Sequence, residues 1–117
     1  MKKFMALYMA PAASIEQMRA MPSEETREIM EAWTDWGEAY AGHVVTMGSP
    51  LGSTLRVTAG GTSDTHNEVT GYSIVEGESR EDVAKIFDGH PHLEIAGASI
   101  DIMECVTLPG MGTGGDE

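Results

Sequence analysis

Four residues near the end of the chain have side chains suited to proton transfer or ligand contact. His90 and His92 flank Pro91, and Asp101 and Tyr72 lie in strand-like runs nearby. An imidazole titrates near neutrality, so a histidine at a helix–strand junction suits general acid or base work. It equally suits a plain structural task, as a cation at a helix C-terminus. Asp101 is flanked by Ile100 and Ile102, so strand alternation turns it to the face opposite them. Tyr72 offers a hydroxyl that could orient a ligand. These readings make His90, His92 and Asp101 the candidate catalytic groups and predict one pocket holding them with Tyr72.

A second set of polar residues lies in a long glycine-rich excursion. Arg56 is the only base between Arg27 and Arg80, and it could clamp a carboxylate. A salt bridge to one of the many acids is the simpler role. Asp64 and His66 follow on the same loop. With Arg56 and Tyr72 they form the candidate ligand contacts, and residues 52–67 the candidate lid. A zinc site built from the His-x-His pair with His66, Asp64 or Glu94 has no recognised spacing, so no metal and no cofactor is expected. Cys105 sits in an apolar strand with no adjacent base, which reads as an inert thiol. Gly60-Gly61 lacks the Lys-Ser/Thr of a phosphate loop.

The elements that must position these groups follow from hydropathy and punctuation. Residues 3–9 are apolar at nearly every position, as in a central strand. Ser14 and Gln17 match a capping box for a short helix over 14–20. Ser23 reads as the cap of a long helix over 23–41, with Ile29, Trp33, Trp36 and Tyr40 on one face and acids opposite. Residues 43–47 and 68–76 read as strands, with a hairpin arm at 54–58 between them. Ser79 caps a helix over 80–88, which Gly89 closes. Residues 99–107 read as the last strand.

The order β-α-β-β-α-β predicts an α+β, ferredoxin-like fold, a four-stranded antiparallel sheet with its helices on one face. It fits one domain over residues 1–109. Residues 110–117, with four glycines, are expected to form a flexible tail. The first and last strands are apolar on both faces, so the uncovered face predicts a homodimer.

Composition narrows the function. The chain has 117 residues, 19 acids against 7 bases and a net charge of −12. Nucleic acid and anionic membrane would both be approached against that field, so neither is an expected partner. No run approaches the ~18 apolar residues of a membrane span. Met1-Lys2-Lys3 and the apolar run after it superficially match a signal peptide, but the run is short and strand-like. A single cysteine fits a reducing cytoplasm.

Several stretches together resemble the YCII-related family and its DGPF-type branch. They are Gly71-Tyr72-Ser73-Ile74-Val75-Glu76, the capped helix after it, the block at 90–92, and Ala98-Ser99-Ile100-Asp101-Ile102-Met103-Glu104. Gly42-His43-Val44-Val45 and Gly48-Ser49-Pro50-Leu51 resemble the same family's helix-to-strand turn. The resemblance implies a dimeric α+β barrel with a cleft, and in some members acid–base chemistry on small molecules, including dehydrochlorination. The family's late Asp-Pro-aromatic motif would place its Asp where this chain has His90 and its aromatic where it has His92. The first long helix has no histidine, and the DGPF segment is replaced by Ala59-Gly60-Gly61-Thr62-Ser63-Asp64. Three functions are therefore in competition: a lyase- or isomerase-like enzyme, a non-catalytic small-ligand-binding dimer, and an interaction subunit.

Overall fold

The computed structural model describes residues 1–106 and 108. The tail expected over 110–117 and Thr107 of the predicted last strand lie outside them. Strand β1 (Lys2–Met9) leads into helices α1 (Ala12–Arg19) and α2 (Ser23–Ala39). Strand β2 (Val44–Pro50), a hairpin of β3 (Thr54–Thr58) and β4 (Gly61–Thr65), and strand β5 (Val69–Gly77) follow. Helix α3 (Arg80–Ile86), a 3-10 turn (Pro91–Glu94) and strand β6 (Ser99–Glu104) complete the described chain. The main sheet runs β2-β5-β1-β6, and every neighbouring pair is antiparallel. Without the β3–β4 hairpin this is the ferredoxin-like order the sequence predicts.

One face of the sheet carries the core. Phe4, Ala6 and Tyr8 of β1 alternate inward, opposite Val75, Ser73 and Gly71 of β5. Trp36 of α2, and Val83 and Ile86 of α3 with Phe87 just after it, cover that face. Each large apolar side chain removed from water this way contributes about 1.5–3 kcal/mol. The opposite face, with Met5, Leu7 and Met9, is half-buried and has no helix over it.

Local signals were met unevenly. Ser79 caps α3 as expected, its hydroxyl accepting from the Asp82 amide at 3.1 Å. Neither Ser14 nor Ser23 acts as a cap. Pro11 and Pro22 precede α1 and α2, and no side chain caps either helix. Ser14 lies inside α1 and donates to the Ala96 carbonyl at 2.6 Å, tying the helix to the loop before β6. Helix α2 ends at Ala39, before Gly42. Strand β2 runs on to Pro50 through an irregular register, with Gly48 at φ +71°. A Cβ there would lie 1.9 Å from the Tyr72 carbonyl oxygen, so only glycine fits.

Candidate functional site

The two histidines come together beneath the helix layer. Gly89 takes φ +76° and turns the chain out of α3, and Pro91 opens the 3-10 turn. His90 caps that turn: its Nδ1 accepts the His92 amide at 3.0 Å. With that lone pair engaged, the neutral ring carries its proton on Nε2. His90 Nε2 is fully buried and has no hydrogen-bond partner, alone in this among the described side-chain nitrogens and oxygens. His92 donates from Nε2 to the Met9 carbonyl at 2.9 Å.

Aromatic rings enclose both imidazoles. The Tyr8 ring stacks on His90 at 5.2 Å between centroids. Trp33 and Trp36 meet His90 edge-to-face at 4.5 and 4.6 Å. Phe87 is tilted against it at 5.6 Å. His90 is 0% exposed and His92 2%. Burial, reinforced by the neighbouring His92, pushes the His90 pKa down to about 4. Burial also lowers His92, against an opposing pull from the Met9 and Ser99 backbone. Both rings are thus neutral at pH 7.

A hydroxyl relay runs through the same core. Ser73 donates to the Met47 carbonyl at 2.7 Å, so Tyr8, 2.8 Å away, donates to Ser73. Burial raises the Tyr8 pKa, while the Ser73 bond lowers it in part.

The sequence expectation of one pocket holding His90, His92, Asp101 and Tyr72 is corrected here. Asp101 and Tyr72 both register with Leu7, so all three point to the uncovered face. The histidines contact Tyr8, which points the other way, and the sheet stands between the two pairs. Strand alternation is the cause, because neighbouring residues of one strand cannot share a face. Arg56, Asp64 and His66 do not join either pair. Arg56 and Asp64 are exposed on the β3–β4 hairpin, and His66 is exposed just after it. No three His, Cys, Asp or Glu side chains group as a metal site among the described residues. Hence the zinc arrangement weighed for His66, Asp64 and Glu94 is not assembled.

The sequence singled out neither Tyr8 nor Ser73. The signal for Ser73 was its place between Gly71 and Val75 on the inward register, where a hydroxyl needs a partner. A groove of about 450 Å³ lies between α3 and β6, lined by Ala84, Phe87, Leu93, Ile100 and Ile102, with Lys85 and Asp88 also lining it. Neither histidine lines it.

No family model matches the chain, and no curated protein matches it. Among solved structures it is similar to 5-chloro-2-hydroxyhydroquinone dehydrochlorinase from Burkholderia phenoliruptrix, in complex with 2,5-dihydroxybenzoquinone. The two are 17% identical with a TM-score of 0.46, over 86% of this chain and 91% of the other. No described helix is long and apolar enough to cross a membrane.

Proposed function

We propose that the chain acts as a homodimer that binds a small, largely apolar molecule on the uncovered sheet face, with Asp101 and Tyr72 as its polar contacts. One observation carries the reading. Leu7 separates Asp101 from Tyr72 in register, amid Met5, Met9, Ile74 and Met103 on the same face. Two strand spacings set the polar groups roughly 10 Å apart, a span suited to a small molecule. An apolar surface with a few convergent polar groups is how small-ligand sites are built. A second copy over this face would turn it into a cavity. The YCII-related resemblance, with its implied two-chain barrel, agrees with this. The single Cys105 suits a reducing compartment such as the cytoplasm.

Proton transfer by the imidazole pair is the second reading. It draws on the His90 Nε2, a proton-bearing nitrogen with no acceptor. The ring's other nitrogen already accepts an amide, so the folded ring offers no free lone pair as a base. Trp33 and Trp36 of α2 close off Nε2, so the enzyme reading has α2 lifting to admit a substrate and the ring serving as an acid from Nε2.

Methyl-labelled methionine NMR tests the proposal against a panel of small phenols, amines and carboxylic acids. Saturable shifts are expected at Met5, Met9 and Met103, with Met30 on α2 unchanged. Asp101→Asn and Tyr72→Phe should each weaken binding about tenfold, the loss of one good hydrogen bond. A chain that stays monomeric at high micromolar concentration, with no saturable shift on this face, defeats the reading. Turnover abolished by His90→Asn but kept in Asp101→Asn would favour the second.

A further inference from the structure

Asp101 is a carboxylate with no cation to meet. It stands exposed on the uncovered face. The ion pairs among the described residues link Lys2 to Glu104, Arg80 to Glu81 and Lys85 to Asp82, and Asp101 joins none of them. The four strands of the main sheet carry two bases, Lys2 and Lys3. Lys2 alternates with Phe4 to the helix side, where it meets Glu104 at 4.0 Å. Lys3 is on the uncovered face, but it registers with Glu76 across the β1–β5 ladder. It also lies four residues along β1 from Leu7, which puts it roughly 14 Å from Asp101.

The other neighbours of Asp101 on that face are uncharged. Leu7 lies opposite, Met5 and Met9 lie on the diagonals, and Met103 and Ser99 flank it on β6. Beyond Leu7 stands Tyr72, with Ile74 beside it and Ser49 of β2 in register. Strand β6 is an edge of the sheet, so this carboxylate sits at the rim, where a ligand enters the face first.

The charge of the ligand follows from that placement. Excluding water from an unpaired carboxylate costs free energy, and an ammonium brought in by the ligand offsets it through a charge-assisted hydrogen bond. An anion would meet both Asp101 and the field of a chain with net charge −12, whereas the same field concentrates cations. Leu7 and the methionine thioethers offer an adaptable apolar bed for the body of the ligand. The Tyr72 hydroxyl, two strand spacings from Asp101, can donate to or accept from a polar group at the far end.

We propose that the molecule this face takes is a small organic amine, protonated at neutral pH, with its ammonium on Asp101, its apolar body across Leu7 and its far end at Tyr72. This rests on the small-ligand reading above and adds the charge of the ligand and the direction in which it lies.

The experiment compares three probes of similar shape and different charge: tyramine, a cation; tyrosol, its neutral alcohol counterpart; and para-hydroxyphenylacetate, an anion. Each is titrated at neutral pH into the chain labelled at its methionine methyls, with sedimentation velocity run alongside. Tyramine should give saturable shifts at Met5, Met9 and Met103 and bind at least about tenfold more tightly than tyrosol, with the anion weaker still. Asp101→Asn should abolish that preference, and Tyr72→Phe should keep it while weakening tyramine and tyrosol alike. Neither residue belongs to the buried core, so circular dichroism should show both variants folded. Tyrosol binding as tightly as tyramine, or the anion binding more tightly, overturns the charge assignment and leaves the small-ligand reading standing. A preference for tyramine that survives Asp101→Asn overturns Asp101 as its partner. If dimerisation is lost in Asp101→Asn and also in Lys3→Met or Arg56→Met, a base of the second copy holds the carboxylate and the inference falls. It falls too if no probe shifts Met5, Met9 or Met103, and the small-ligand reading falls with it where the chain is also monomeric.

Discussion

Acid should destabilise this fold through His90, by an amount that its burial sets. The folded ring titrates near pH 4, against about 6.5 for an exposed histidine. Between those values the unfolded chain binds a proton at this residue and the folded chain does not. Stability therefore rises with pH across that window and falls as pH drops through it. From pH 7.5 to 4.5 the window crossed is about two units, worth about 2.7 kcal/mol at 1.36 kcal/mol per unit. His92 is shifted in the same direction and adds to the effect. The carboxylates also titrate on the way down, so a variant must isolate the histidine. His90→Asn keeps an acceptor for the His92 amide and removes the titrating group. Urea unfolding of both chains at a series of pH values gives the comparison. The natural chain should lose about 2–3 kcal/mol more than His90→Asn between pH 7.5 and 4.5, and the variant should be less stable at pH 7.5 because the aromatic cage loses a ring. Parallel pH profiles, or an NMR titration placing His90 near 6.5, would refute the reasoning.

Two further expectations follow from the same packing. Ser73→Ala leaves the Tyr8 hydroxyl and the Met47 carbonyl without their partner, so it should cost about 1–3 kcal/mol in urea unfolding. Gly48→Ala drives a methyl into the Tyr72 carbonyl at a positive φ. It should unpair β2 from β5, read as loss of hydrogen-exchange protection in Ser49–Tyr72 pairing and a cost above about 3 kcal/mol.

The element order was legible because strands and helices announce themselves by period, and Ser79 and Gly89 punctuate as their chemistry dictates. Strand β4 was missed, since Gly-Thr-Ser-Asp-Thr has no apolar alternation and pairs only through its backbone with β3. The face of Asp101 was readable from Ile100 and Ile102. The face of His90 and His92 was not. They follow a left-handed glycine and a proline, where neither the helical nor the strand period applies, so only the tertiary fold decides that they turn under α2. Trp33 and Trp36 were read as core from their spacing, but nothing in that spacing says that their neighbours are imidazoles.

The register of β1 also governs how the chain folds. This strand lies inside the sheet, yet its partners are β5 and β6, and the Tyr8–Ser73 bond already spans 65 residues. During synthesis this apolar strand leaves the ribosome before both of its neighbours and waits for them. Closing such long loops before any pairing compensates them slows folding. Over that interval Phe4-Met5-Ala6-Leu7-Tyr8 is an unprotected β-forming segment, open to pairing with other nascent chains. Yield in a cell is accordingly set by how fast Ser99–Glu104 arrives as well as by the stability of the finished sheet.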